Sequence, residues 1–168
     1  MPAFLRSIDT VLWGRKTYEL ALGFGERGTS FGKPVRNCVF SRGLLRSVAP
    51  GFELVHRPLG EFVRELRSLT GRDVWVMGGA QLIGSLLDEG EIDDLVVHVV
   101  PTLIGEGVPL LSPRRRQVPL KLKAVRRFAD GVVRIHYTVE RTPAARPAAR
   151  TVRRPPARDR RRRPPSSR

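Results

Sequence analysis

The chain has 168 residues, enough for one domain with a hydrophobic core of its own. Its formal net charge of +15 is uneven: residues 141–168 hold 11 of the 31 basic and 1 of the 16 acidic residues, which leaves +5 for residues 1–140. This distribution argues against a uniformly basic nucleic-acid-binding domain, and a single cysteine, Cys38, excludes an intrachain disulfide or a cysteine-based metal cluster.

Apolar spacing predicts helices alternating with strands, followed by an antiparallel pair with Asp130-Gly131 at its turn. Two apolar runs, 73–77 and 94–100, are typical of strands buried on both faces. We predict a three-layer α/β/α domain with a mixed, mostly parallel central sheet that ends in an antiparallel hairpin. The predicted helices are 2–7 (a last turn), 16–22, 59–69 and 80–89; the predicted strands are 10–13, 36–40, 52–56, 73–77, 94–100, 121–128 and 132–140.

The two ends of the chain predict a domain over residues 1–140 and a disordered tail over 141–168. The tail consists mainly of Arg, Pro and Ala and cannot bury enough apolar surface to offset the entropy of ordering. Its arginine run at 160–163 is expected to bind nucleic acid only non-specifically. The N-terminus has no secretion signal and no apolar run reaches membrane-spanning length, so we expect a cytoplasmic protein with no membrane partner.

Two segments, Val11–Glu19 and Val74–Gln81, each read as a strand that ends at glycine and turns directly into a helix. A helix start exposes unpaired backbone N–H groups and a partial positive charge, so it favours phosphate binding. Two such starts in one domain indicate a pyrophosphate-bearing ligand with an additional phosphate. We therefore expect a dinucleotide cofactor, NADPH.

Each feature alone has a plainer interpretation. Arg15 and Lys16 are typical of a solvated pair at a helix start, and Gly78-Gly79 is equally typical of a tight strand-to-helix turn. Residues 41–43 form an ordinary loop sequence. Only their occurrence together and in this order favours a cofactor site.

Other candidate motifs do not predict a site. Residues 23–28 match the Gly-x-Gly-x-x-Gly pattern, but they follow a helix rather than a strand and are predicted to form a flexible loop. The three histidines, His56, His98 and His136, are scattered over predicted strands, so no metal site is expected. His98 lies between apolar neighbours, which favours a structural role.

The chain resembles the dihydrofolate reductase-like superfamily, most closely the branch that contains the reductase domain of bacterial riboflavin biosynthesis. The resemblance spans roughly residues 3–140, and its motifs are specific only in combination. Four stretches carry it: residues 14–19 (GRKTYE), 41–42 (SR), 76–81 (VMGGAQ) and 94–107 (DLVVHVVPTLIGEG).

The resemblance implies a cofactor site built from these stretches. Glycines would let the cofactor's pyrophosphate approach the backbone, and cationic or hydroxyl side chains would bind its phosphates. Ser41 and Arg42 would hold the adenosine 2′-phosphate, which favours NADPH over NADH, and Met77 would lie near the nicotinamide. The implied cofactor-binding residues are Gly14, Arg15, Lys16, Thr17, Ser41, Arg42, Met77, Gly78, Gly79, Ala80 and Gln81.

The implied activity is hydride transfer from NADPH to a pyrimidine-ribosyl or pterin-like heterocycle. The first candidate is 5-amino-6-(5-phosphoribosylamino)uracil, whose ribosyl group would be reduced to ribityl. Family members commonly form homodimers, so we expect one here. The alternatives are a catalytically inactive cofactor-binding remnant and a polyanion-binding protein that acts through the tail.

The sequence departs from the family pattern at its start. The customary first strand, the loop after it and an acidic substrate-contacting residue have no counterpart before Ala3, so no catalytic acid is assigned. A missing central strand would leave its neighbours with unpaired backbone groups and exposed apolar side chains. We expect either a true start upstream of Met1, which the local consistency of the rest favours, or a fragment that needs a partner.

Overall fold

Short helices and strands alternate along residues 3–42 and 47–140, the parts of the chain that the computed structural model describes. The predicted tail over 141–168 lies outside the described residues. The helices are α1 (Ala3–Ser7), α2 (Arg15–Gly23), α3 (Glu26–Thr29), α4 (Leu59–Ser68) and α5 (Ala80–Asp88). The strands are β1 (Ile8–Gly14), β2 (Arg36–Phe40), β3 (Phe52–Val55), β4 (Asp73–Gly78), β5 (Asp94–Val99), β6 (Leu120–Arg127) and β7 (Val133–Val139).

The first four strands form a parallel sheet in the order β3-β2-β1-β4. Strand β1 is central, and its Leu12 lies opposite Cys38 of β2 on one side and Val76 of β4 on the other. The chain therefore leaves β1 towards β2 and later returns to the opposite side of β1 as β4. Strand order reverses at β1, which places its carboxyl end beside that of β4.

Apolar clusters cover both faces of this sheet because successive residues of a strand point to opposite faces. On one face Leu12 and Cys38 pack with buried residues of α4 and α5; on the other, Val11 and Trp13 pack with buried residues of α2. This arrangement confirms the predicted α/β class with helices on two sides. The buried apolar side chains of these helices are Phe62 and Val63 of α4, Leu82 and Leu86 of α5, and Tyr18 and Ala21 of α2.

The last three strands form a separate antiparallel sheet in the order β5-β7-β6. It packs on the first cluster through Val139 and the partly buried Leu95, beside Ile92, which precedes β5. Among the described strands, β4 and β5 are therefore edges of two different sheets, and the predicted mixed sheet is divided between them.

The predicted burial of residues 94–100 is wrong. Strand β5 is exposed at Asp94, Val96, His98 and Val99, and β4 is mainly half-buried. Among the described strands, β4 and β5 each pair on one side only, and of β5 only Leu95 packs against the core cluster. The predicted loop over 23–34 also contains a short helix, α3, which the sequence pattern did not indicate.

Candidate functional site

The two glycine turns predicted from the sequence meet at the carboxyl edge of the parallel sheet. A Cβ built on Gly14 would lie 3.1 Å from the carbonyl oxygen of Gly78 and 3.3 Å from Cα of Gly79. This contact follows from the topology, since β1 and β4 are parallel neighbours and each ends at its glycine. Residues 64 positions apart in the chain therefore form one surface.

A helix begins at each of these turns, and the two helices lie on opposite faces of the sheet. Helix α2 follows Gly14 and α5 follows Gly79, and each N-cap residue is a glycine, which has no side chain to cap the helix. Each start therefore presents backbone N–H groups and the positive end of a helix dipole. A crevice at a reversal of strand order, at the carboxyl ends of the strands, is where open α/β sheets bind ligands.

The backbone at the second turn is suited to close approach. Gly78 has a φ of 148° and Gly79 a φ of 106°, values that residues with a Cβ rarely adopt. The Thr17 side chain lies beside both, with its Oγ1 3.6 Å from a Cβ position built on either glycine. Thr17, Gly78 and Gly79 thus line one small region, and the predicted roles of all three in cofactor binding stay predictions.

The two cations at the start of α2 have different surroundings. Arg15 donates a hydrogen bond from Nη1 to Glu19 at 2.9 Å, an ion pair along the helix that shares its charge. Lys16 is exposed. An ion pair at the surface is weak, so an anion at this helix start would compete readily with Glu19 for Arg15.

Of the other predicted residues, Met77 lies in the interior of the domain, and Arg42 and Gln81 line a separate polar cavity. Met77 is partly buried against the cluster around Val11 and Trp13. Ala80 accepts a hydrogen bond at its carbonyl from the Ser112 backbone N–H at 3.1 Å. Ser41 and Arg42 follow β2, and Arg42 lines a polar cavity together with Gln81.

That polar cavity has a volume of about 160 Å³ and contains residues that no sequence motif indicated. They come from the segment after β5 and from the outer face of α5. Because these residues are distant in sequence, only the tertiary structure brings them to Arg42. The lining residues are Arg42, Gln81, Ser85, Asp88, Ser112, Pro113, Arg114 and Arg116.

A larger cavity, of about 720 Å³, lies at the other end of α5. It is lined by an ion-pair network in which Arg64 and Arg67 bind Glu89 and Glu91. These charges neutralise one another, and the cavity is separated from the glycine turns by the length of the helix. It is not the candidate cofactor site.

Two of the three histidines lie in the antiparallel sheet, outside the glycine turns. His136 lies 2.9 Å from the Asp94 carboxylate, and His98 stacks loosely near Phe128. Within residues 3–42 and 47–140, no cluster of three or more His, Cys, Asp or Glu side chains has the geometry of a metal site. In the same residues no helix combines the length and the apolar character needed to cross a bilayer.

Solved structures share this fold. A protein from Shewanella sp. PV-4 assigned to riboflavin biosynthesis superimposes with a TM-score of 0.71 at 22% identity, over 83% of this chain and 78% of that one. A pyrimidine reductase-like protein from Corynebacterium diphtheriae gives 0.60 at 15% identity, over 82% and 79%. The fold is therefore that of dihydrofolate reductase-like proteins, as the sequence motifs predicted.

Sequence comparison gives the family. The model of the RibD C-terminal domain matches residues 44–134, more than half of the chain. The uncharacterised protein YyaP of Bacillus subtilis is 30% identical over 146 residues, which cover 80% of this chain and 76% of YyaP. The chain belongs to the RibD C-terminal domain family. Membership supports an oxidoreductase and, in general terms, a nicotinamide cofactor.

Proposed function

We propose that the chain is an NADPH-dependent reductase that transfers a hydride to a pyrimidine-ribosyl or pterin-like heterocycle. The first candidate substrate is 5-amino-6-(5-phosphoribosylamino)uracil. Family membership and the riboflavin-related and pyrimidine reductase-like neighbours support this choice.

The observation that carries the proposal is the meeting of the two uncapped helix starts at Gly14 and Gly78-Gly79. A pyrophosphate carries charge on two adjacent phosphoryl groups, so two converging sets of backbone N–H donors suit it better than one. The residues present therefore fit a dinucleotide. Positive φ at both Gly78 and Gly79 leaves the backbone open to such a ligand.

The side chains around the turns have distinct proposed roles. Thr17 donates its hydroxyl hydrogen bond to a phosphate oxygen, and Arg15 and Lys16 supply positive charge at the start of α2. Ser41 and Arg42 bind the 2′-phosphate, and Gln81 extends the polar surface along α5. When bound, the reduced nicotinamide supplies the hydride, and the protein contributes orientation and exclusion of water.

We further propose a homodimer. The segment between β5 and β6 exposes several large apolar side chains, which is unusual for an isolated domain. Leu103 and Val108 are almost fully exposed, at 103% and 93% of their reference areas, and Ile104 is 72% exposed. A second copy of the chain would cover them. The cytoplasmic location stays a prediction.

The proposal is tested by titrating the purified full chain with NADPH and with NADH and following the thermal unfolding midpoint. We expect NADPH to raise the midpoint at lower concentration than NADH does, because a ligand that binds only the folded state stabilises it in proportion to its affinity. Arg42→Ala should remove this preference, while Arg27→Ala, an exposed arginine on α3, should keep it.

Turnover is then measured with the aminopyrimidine and with pterins by the loss of NADPH absorbance. Binding of NADPH without turnover on any of these substrates would favour the inactive cofactor-binding alternative. No response to either nucleotide would contradict the proposed function itself.

A further inference from the structure

The cavity beside α5 carries an excess of positive charge that the proposed function has used only at Arg42. Three arginines line it, Arg42, Arg114 and Arg116, against a single carboxylate, Asp88. Two of the arginines bind that one carboxylate: Arg114 Nη1 lies 2.5 Å from Oδ2, and Arg116 Nε lies 2.8 Å from Oδ1. The remaining net charge of the lining is positive.

Arg116 holds the cavity together rather than offering donors to a ligand. Its side chain is 11% exposed, and its three nitrogens bind Asp88 and the carbonyl oxygen of Ser112. A Cβ on Gly84 would lie 2.7 Å from Ser112 Oγ and 3.0 Å from Arg116 Nη2. The glycine therefore lets this segment pack directly on α5.

Arg114 is different, because most of its donors face outward. Its side chain is 67% exposed and a single nitrogen, Nη1, binds Asp88. A guanidinium has five N–H donors in a planar fork, the geometry that matches phosphate oxygens. Asp88 thus orients Arg114 at the rim of the cavity while leaving its other donors available.

The cavity and the candidate cofactor site share helix α5. Gln81, Ser85 and Asp88 recur at helical spacing on the face that lines it, and Gln81 lies in the first turn after Gly79. The Ser112 backbone N–H bonds to Ala80 in that same turn. At about 160 Å³ the cavity is smaller than the roughly 300–1,000 Å³ typical of whole-ligand pockets, so it suits one substituent of a larger molecule.

We propose that Arg114, oriented by Asp88 and Arg116, binds together with Arg42 the phosphate monoester on the adenosine ribose of the cofactor, and so determines selectivity for NADPH over NADH. This inference rests on the proposed function. It adds a specificity-determining residue from the segment between β5 and β6, remote from the glycine motifs.

The test measures binding of 2′,5′-ADP and of 5′-AMP to the full chain by calorimetry. These probes are the adenosine half of NADPH with and without the 2′-phosphate. We expect the wild-type chain to bind 2′,5′-ADP more tightly than 5′-AMP. Arg114→Gln should lower the affinity for 2′,5′-ADP roughly tenfold, because a charge-assisted contact is lost, and should leave the affinity for 5′-AMP unchanged. Arg114→Lys should recover part of the preference.

Arg115→Gln is the matched control, because Arg115 is the exposed neighbour of Arg114 and does not line the cavity. Its preference for 2′,5′-ADP should equal that of the wild-type chain. Unfolding midpoints of both variants, measured without ligand, confirm that each is folded.

Three results would overturn the proposal: no wild-type preference for 2′,5′-ADP, an unchanged preference in Arg114→Gln, or displacement of 2′,5′-ADP by ribose 5-phosphate at equal concentration. The last would mean that the cavity binds a sugar phosphate. If NADPH still binds selectively and is oxidised in Arg114→Gln, this proposal fails and the proposed function stands. If the Arg114-dependent preference is present but no substrate is reduced, the role of Arg114 in binding stands and the proposed reductase function fails.

Discussion

At Gly79 the backbone has a φ of 106°, and a Cβ there would lie 3.3 Å from Cα of Gly14. Two requirements thus coincide at one residue: a conformation that L side chains rarely adopt, and contact between the two turns. Both serve the same purpose, since they bring the starts of α2 and α5 together without a side chain between them.

Gly79→Ala should lower the free energy of unfolding by about 1–3 kcal/mol because alanine is strained at this φ. It should also lower the affinity for NADPH, because the added methyl group would occupy the space where the two turns meet. Thermal unfolding and NADPH titration measure the two effects. Gly23→Ala is the control, because a Cβ there has no neighbour within 4 Å; equal effects of the two substitutions would contradict the prediction.

Cys38 lies fully buried in β2, and burial raises the pKa of its thiol to about 11, an effect that nearby Arg36 partly opposes. The thiol therefore keeps its proton in the folded chain at pH 8, where the reactive thiolate is scarce. We expect native Cys38 to react with a disulfide reagent far more slowly than the urea-unfolded chain.

The raised pKa of the Cys38 thiol makes the free energy of unfolding fall at high pH. Because the folded pKa is raised from 9.0, the thiol's contribution to stability is complete below pH 9 and decreases as the pH rises towards about 11. The free energy of unfolding, measured in urea across this range, should fall. Cys38→Ala should show a smaller fall, and rapid labelling of the native wild-type chain at pH 8 would disprove the assignment.

Helix α5 joins the parts of the site at the level of elements. Its first turn follows Gly79, its inner face carries the buried Leu82 and Leu86, and its last residue is Asp88. The apolar face fixes the helix on the sheet, and this position sets both the Gly78-Gly79 turn at one end and the Asp88 ion pairs at the other. Packing in the core and geometry at the site are therefore coupled.

Leu86→Ala should destabilise the chain by about 2–5 kcal/mol, the usual range for a buried leucine. Leu86 is 1% exposed, whereas Leu20 of α2 is 64% exposed. Leu20→Ala should change stability by less than about 0.5 kcal/mol. Urea unfolding compares the two, and a similar small cost for both would show that α5 is not anchored through Leu86.

Elements with strong local patterns were predictable from the sequence, and contacts between distant segments were not. Apolar periodicity places α4, α5 and β2 within one or two residues, because burial on one face imposes that pattern. The exposure of β5 was missed because an apolar run shows only that a strand is suited to burial. The cavity residue Arg114 was missed because its partner Asp88 is 26 positions away.

At the scale of the whole molecule, the segment between β5 and β6 presents a candidate interaction surface. It exposes five large apolar side chains within eleven positions: Val100, Leu103, Ile104, Val108 and Leu110. Such a patch is typical of an interaction surface. The proposed homodimer would bury it, and Arg114, which belongs to the same segment, would then be held by the same contact.

Ile104→Lys should weaken or abolish the dimer, because a lysine would place a charge in the covered patch. Sedimentation equilibrium of the wild-type chain and the variant over a range of concentrations measures the effect. Phe24→Lys, at a side chain 64% exposed at the end of α2, should leave assembly unchanged. A wild-type chain that stays monomeric at all concentrations would refute the homodimer.

The division between the two sheets also has a dynamic consequence. Among the strands of residues 3–42 and 47–140, β1 is paired on both sides and β4 on one, so β4 can open locally while β1 stays in place. Gly14 belongs to the first strand and Gly78 to the second, so this opening would separate the two turns. Amide hydrogen exchange should therefore be faster in β4 than in β1. A ligand that spans both turns should slow the amide exchange of β4 most. Cofactor binding and the exchange rate of β4 would then both report the same local opening of this strand.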